Sequence, residues 1–292
     1  MSIAGKRQTR EECTTTNNKI VSEEVPSDQL EPSRKKIRIE PMTPQEDKPF
    51  IDAPVPPHDH DNHDNDKYQY DLSHDIAFSV KVIKMLSSAK KNPKPIIPLS
   101  CCKKKILVLD LDETLVYNSH GTCPKSDFNY QVFHEGLIYD FNCRLRPHLY
   151  EFLEEVSKDW ILITWTASMQ KVAEPLINYI DPKRKYLTHV LYRDSCLNLK
   201  GAYIKDLQVF GRDMKDVIIL DNNPLTFTIN PSNGVPILSW YGEQKEDDAL
   251  TSVLAFFKKL SQAEDVRPII DSRFGFLDKI NDMTNTTELS KE

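Results

Sequence analysis

Three short apolar runs, each stopping at a polar residue, constrain this chain more than any other feature. Residues 106–109 (ILVL) run into Asp110, residues 161–164 (ILIT) lead to Thr166, and residues 217–220 (VIIL) run into Asp221. A run of this kind, without polar alternation, is what a strand covered on both faces requires. Residues 188–191 (THVL) and 236–239 (PILS) are shorter candidates of the same type. Between the runs the period changes. Leu149, Phe152, Leu153 and Val156 fall on one helical face after Pro147, which is suited to a helix start. Further helices are expected at about 169–179 and 246–260. Residues 127–145 alternate and turn at Glu135-Gly136, which predicts a hairpin. Buried strands alternating with helices imply an α/β fold with a parallel sheet and right-handed crossovers. Ligands bind beyond the carboxyl ends of such strands, and Asp110, Thr166 and Asp221 stand there.

Those residue types point to phosphoryl chemistry. Asp110 and Asp112, two apart in a turn, repel each other unless a cation lies between them. A hard divalent cation with oxygen ligands relieves that repulsion, and Asp221 with Asn222 can complete the ligand set. Lys205, in YIKDL, adds a fixed positive charge. Carboxylates, Mg²⁺, a lysine and a hydroxyl together suit phosphoryl transfer. One carboxylate can attack phosphorus and become an aspartyl-phosphate. An Asp after a strand is also a common turn or cap residue. Four such elements at separate strand ends weigh against that plainer reading.

The rest of the chain has a different texture. Eleven of the 19 prolines and only one of the 8 glycines precede residue 99. Residues 1–98 therefore read as a disordered polar and acidic region, apart from a short amphipathic helix at 74–89. Within it, the basic run from Arg34 to Arg38 is either an import signal or a solvated charge run. The tract 58–66 (HDHDNHDND) is either a transition-metal binder or a spacer. A net charge of −6 argues against direct nucleic-acid binding. No apolar stretch reaches the roughly 18 residues of a membrane span, and the first residues lack a secretion signal. The expectation is a nuclear or cytoplasmic protein with no membrane partner. Its six cysteines, with no C-x-x-C pair, are then reduced thiols.

The motifs ILVLDLDETLVYNS, LRP (145–147), WTAS (165–168), YRDSC (192–196), YIKDL (203–207) and VIILDNNP (217–224) together resemble the FCP1/SCP-type phosphatases. These are RNA polymerase II C-terminal-domain phosphatases of the haloacid dehalogenase superfamily. The ending EDVRPIIDSRF is most similar to the CTD small phosphatase-like 2 branch. The resemblance implies a Rossmann-like three-layer fold with a central parallel sheet and a small β-hairpin insert after the first motif. It divides the chain into the head (1–98), a phosphatase domain (99–275) and a C-terminal tail (276–292).

The resemblance also implies roles. Asp110 matches the nucleophile, and Asp112 the acid/base whose carbonyl also holds Mg²⁺. Thr114 matches the residue supporting the motif loop, Thr166 the hydroxyl on the phosphoryl group, and Lys205 the lysine that offsets its charge. Asp221 and Asn222 match the metal-side pair, and Arg193 an arginine that faces the substrate. Tyr117-Asn118 stands where the family commonly has His-Ser, Trp165 where it has Phe, and Asn223 where it has Ser. The implied partner is a phosphoprotein or phosphopeptide. Two other readings remain: a catalytically silent binding or adaptor module, which can dispense with the first aspartate, and a small-molecule phosphatase, which usually needs a larger cap.

Overall fold

The computed structural model describes residues 103–121, 125–199, 201–244 and 246–289. The head, its basic run, its histidine tract, its expected helix and Cys13, Cys101, Cys102 and Cys123 lie outside the described residues.

β1 (Lys105–Leu109) is the KILVL run, and its last four residues are inaccessible to solvent. It sits at the centre of a five-stranded parallel sheet. On one side lie β5 (Trp160–Trp165) and β6 (Leu187–Leu191); on the other lie β9 (Val217–Asp221) and β10 (Gly234–Pro236). Ile106 is in register with Ile161 on one side and Val217 on the other. The absence of polar alternation in β1, β5 and β9 follows from the two layers covering them, whereas β6, at the sheet's side, leaves Thr188 exposed. Leu107, Leu109, Leu162, Ile218 and Leu220 pack with α1 (Leu149–Asp159), α2 (Gln170–Ile180) and α4 (Leu254–Gln262). Ile106, Val108, Ile163 and Ile219 face Leu207, Val209, Phe210 and Phe227, with Phe276 and Ile280 from α6 (Phe276–Leu289). The fold is thus the three-layer α/β arrangement expected from the sequence.

α1 shows why the sequence folds this way locally. Leu149, Phe152, Leu153 and Val156 form one buried stripe, while Glu151 in the first turn and Lys158 in the last suit the helix dipole. Phe152 is fully buried, so Phe152→Ala would cost about 3–5 kcal/mol.

The insert is larger than a hairpin. β3 (Phe128–His134) and β4 (Leu137–Leu145) are joined at Glu135 and Gly136, with φ of 51° and 81°. Two successive positive φ values give a type I′ turn, whose twist matches the paired strands. A third strand, β2 (Val116–His120), pairs with β4, giving the order β2-β4-β3. Its sequence, VYNSH, is too polar to announce a strand. A row of rings crosses the insert onto α2: His120 lies tilted on Phe141, and Phe141, Tyr130, Phe128 and Tyr179 stack in turn, with centroid separations of 4.2, 5.2, 5.3 and 4.4 Å.

Three boundaries differ from expectation. The strand expected at 236–239 ends at Pro236, because Leu238 turns into solvent and Ser239 bonds Asn222. The final expected helix is two pieces, α3 (Ala249–Ser252) and α4, separated at Val253. Residue 276, where the tail was expected to begin, instead opens α6, whose Phe276 and Ile280 are buried. α5 (Arg267–Phe274) precedes it, and β7 (Leu197–Leu199) pairs with β8 (Ala202–Ile204) in a small ribbon. Among the described residues no helix is long and apolar enough to cross a membrane.

Candidate active site

Asp110 is the first residue after β1, and its N–H donates to the Leu220 carbonyl of β9 at 3.0 Å. The two neighbouring strand ends therefore fix where its carboxylate begins. Lys205, just after β8, donates its Nζ to Asp110 Oδ1 at 2.6 Å and to Asp221 Oδ2 at 2.7 Å. Lys205 and Asp221 are fully buried and Asp110 is 6% exposed. Asp221 is engaged on both oxygens. Oδ2 also accepts from the Thr226 hydroxyl at 2.7 Å, and Oδ1 accepts the Asn223 N–H at 2.8 Å.

This arrangement has more negative than positive charge. Burial raises the Asp110 pKa first, the negative charges of Asp221 and Asp112 add to it, and Lys205 opposes them, leaving it pushed up to about 7. Burial alone would depress Lys205, but the two aspartates outweigh it and hold the ammonium charged. Glu113 is pushed up to about 8 by burial and by Asp112, Asp110 and Asp221. Its backbone is in the left-handed region (φ 57°), and the turn is held by its N–H donating to the Val116 carbonyl at 2.7 Å.

Asp112 is held from the far side, beyond β5. Thr166 Oγ1 and Ser168 Oγ both donate to Asp112 Oδ2 at 2.8 Å, and Thr166 Oγ1 accepts the Ser168 N–H at 2.9 Å. The sequence reading aimed the Thr166 hydroxyl at a phosphoryl group; here it is turned onto the carboxylate of Asp112. Ser168 was missed, although it stands in the WTAS motif. The signal was a second hydroxyl two residues on, the spacing at which two side chains straddling a turn reach one acceptor. Arg193 supports the same loop. Its Nε donates to the Ala167 carbonyl at 2.6 Å, its N–H to the Ser168 carbonyl at 3.1 Å, and its guanidinium lies 4.9 Å from the Tyr203 ring centre.

Thr114 joins the first and last motifs. Its hydroxyl donates to Asn222 Oδ1 at 3.1 Å and accepts the Asn222 N–H at 3.2 Å, while Asn222 Nδ2 donates to Ser239 Oγ at 2.9 Å. The structure thus gathers Asp110, Asp112, Thr114, Thr166, Lys205, Asp221 and Asn222 at one sheet edge, with Arg193 behind the Thr166 loop.

Do these residues fit a divalent cation? Among the described residues no three His, Cys, Asp or Glu side chains converge as a metal cluster. Asp221, expected at the metal, is turned to Lys205, Thr226 and Asn223. The fit lies in the charge and the donor type. Asp110 and Asp221 share the Lys205 ammonium, Asp112 adds its negative charge to Asp110, and that burial with like charge is what lifts Asp110. The donors at hand are carboxylate, carbonyl and amide oxygens, which suit Mg²⁺ rather than Zn²⁺. The residues fit a site completed by backbone and amide oxygens, not by carboxylates alone.

Residues 105–267, a little over half the chain, match the family model described as NLI interacting factor-like phosphatase. The chain is 42% identical over 195 residues to "CTD small phosphatase-like protein 2" of Dictyostelium discoideum, covering 66% of this chain and 34% of that protein. It is 36% identical over 167 residues to the human "Carboxy-terminal domain RNA polymerase II polypeptide A small phosphatase 1", covering 57% and 63%. The match therefore spans about a third of the first relative and under two thirds of the second. Among solved structures, "The Structure of Fcp1, an essential RNA polymerase II CTD phosphatase" is similar with a TM-score of 0.42 and 19% identity, over 63% of this chain and 55% of that one.

Proposed function

Because this chain belongs to the NLI interacting factor-like phosphatases, we propose that it is a Mg²⁺-dependent phosphoserine/phosphothreonine protein phosphatase with Asp110 as its nucleophile. The observation that carries this reading is the divided environment of the two aspartates. Asp110 is gripped by a buried lysine, 2.6 Å away, whereas Asp112 is gripped by two hydroxyls on a single oxygen. Two carboxylates in different surroundings are suited to different tasks.

Asp110 attacks phosphorus, the bond from phosphorus to the serine oxygen breaks, and Asp112 gives that oxygen a proton. Asp112 then takes a proton from water as the water attacks the aspartyl-phosphate. The phosphorus–Asp110 bond breaks and inorganic phosphate leaves. Thr166 and Ser168 fix Oδ2 of Asp112 and so orient its other oxygen for the proton. Lys205 holds Asp110 in place and offsets charge on the transferring group. Asp110, the Asp112 carbonyl and Asn222, with Asp221 behind, would hold Mg²⁺, which would supply further charge neutralisation. Asp221 acts through Lys205.

Among the described residues the insert is a three-stranded sheet and not a larger cap, which suits an extended phosphopeptide better than a small substrate that has to be closed off from water. The relatives' names support the RNA polymerase II C-terminal domain as substrate; other nuclear phosphoproteins are the wider form of the proposal. A nuclear or cytoplasmic location, without direct nucleic-acid or membrane binding, is part of the same proposal.

The test is Asp110→Asn, assayed against a phosphopeptide panel with and without Mg²⁺. Turnover falls by several orders of magnitude and no phosphoenzyme is seen by mass spectrometry. A folded variant with near-normal turnover would sink the mechanism. Full wild-type activity in EDTA would remove the metal.

A further inference from the structure

The segment after β10 is fastened at three points around the catalytic turn. Ser239 Oγ accepts from Asn222, and the Trp240 N–H donates to the Glu113 carbonyl at 2.8 Å. The third fastening is an ion pair. Arg146 Nε and Nη2 donate to Asp247 Oδ1 and Oδ2 at 2.7 and 2.9 Å. The remaining arm of the guanidinium, Nη1, donates to the Thr114 carbonyl at 3.0 Å. The Arg146 side chain is completely buried and that of Asp247 is 14% exposed.

A buried ion pair is a poor way merely to fill space. Desolvating two charges roughly cancels their attraction, and apolar residues of similar volume often stabilise as well or better. What this pair adds is direction. Asp247 uses two arms of the fork, and the third is left aimed at one carbonyl. That carbonyl belongs to the residue whose hydroxyl bonds Asn222, two positions after Asp112. Arg146 also donates its backbone N–H to the Leu115 carbonyl at 3.0 Å, so both sides of this turn exit are held.

We infer that Arg146 and Asp247 are a positioning pair: they fix Thr114, and through it Asn222 and the turn bearing Asp110 and Asp112, in the geometry that binds Mg²⁺. Neither touches substrate. The inference rests on the metal-dependent reading above, and its test separates the two.

The full chain is compared with Arg146→Met/Asp247→Leu and with Asp247→Asn. Each protein is tested for thermal midpoint, Mg²⁺ binding by calorimetry, and kcat and KM on a phosphopeptide. The double variant leaves no charge unpaired but takes the donor from the buried Thr114 carbonyl, so its midpoint falls only modestly. Its Mg²⁺ affinity nevertheless drops about 10–100-fold, the range seen when partners behind a metal's ligands are removed. kcat falls and phosphopeptide KM, at saturating Mg²⁺, is little changed. A folded double variant with native Mg²⁺ affinity would overturn the inference, since the pair would then be packing alone. Should that variant fail to fold, Asp247→Asn decides. It keeps the shape and weakens the fork, and unchanged Mg²⁺ affinity there overturns the inference equally. A wild-type protein that binds Mg²⁺ but hydrolyses no phosphoester sinks the phosphatase reading, while the calorimetric comparison still decides the positioning role.

Discussion

The carboxyl edge of the parallel sheet and the tip of the insert invert the usual arrangement of a protein in opposite ways. At the edge, charged groups are inside: Lys205 and Asp221 are fully buried and Asp110 nearly so. At the tip, apolar groups are outside: Phe133 is 68%, Ile138 64% and Leu137 58% exposed. The first inversion costs stability, because buried charge must be paired and hydrogen-bonded to be tolerated. The second costs the core nothing, because those side chains never enter it. Substitution should therefore be felt strongly at the edge and weakly at the tip.

After loss of the nucleophile Asp110, the largest effect is expected at Asp112. Serine alkoxide is a poor leaving group and needs a proton, whereas nitrophenolate barely does. Asp112→Asn should slow phosphopeptide cleavage about 10²–10⁴-fold, the usual contribution of a general acid. In a single-turnover burst it should slow loading from p-nitrophenyl phosphate far less. Equal loss in the first half-reaction for both substrates would leave Asp112 only a supporting role.

Next comes Lys205→Met. It removes the ammonium that bridges Asp110 and Asp221. Turnover should fall about 10²–10³-fold, as when one preorganised donor is lost. Breaking the buried pair should also cost about 3–5 kcal/mol in urea unfolding. Native stability in this variant would mean that the edge is not strained by charge at all.

A smaller effect is the pH dependence of the metal-free protein. Asp110 has a folded pKa of about 7 against 3.8 unfolded, so between those values the folded state holds a proton that the unfolded state releases. Its contribution is fully present below pH 4 and is lost as pH rises toward 7. Glu113 extends the loss to about pH 8. Unfolding midpoints of the metal-free chain should fall over this window, and Asp110→Asn should flatten its lower part. A midpoint that rises with pH there would contradict the repulsion.

The smallest effect belongs to the tip. Phe133→Ser and Ile138→Ser should each change stability by no more than about 0.5 kcal/mol. Both should leave kcat/KM for p-nitrophenyl phosphate unaltered. A large loss on that substrate would show that the tip is coupled to the edge.

The same contrast explains what could be read in the sequence. Asp110 and Asp221 were legible because each follows a run of four apolar residues, and burial on both faces leaves no other sequence solution. Lys205 was legible by its charge among those carboxylates. The partners were not. Ser168 and Thr166 meet Asp112 only because β1 and β5 lie side by side, and no periodicity reports which hydroxyl turns to which oxygen. Residues 238–244 and Asp247 have no period, and their position is set by a few separate bonds to Asn222, Glu113 and Arg146. β2 was hidden for a related reason: its central residues are only partly buried, so nothing in its sequence had to be apolar.

The central place of β1 has a consequence for how the molecule comes into being. Its neighbours on the sheet, β5 and β9, both follow it in the chain, β5 after the whole insert and α1, β9 well beyond that. On a ribosome adding about 5–20 residues per second, β1 waits seconds with unpaired edges. Its pairings are long-range, which slows closure further. The residue proposed to carry the reaction is thus among the first of the site to be synthesised, and it meets Lys205 only after 95 further positions have been made.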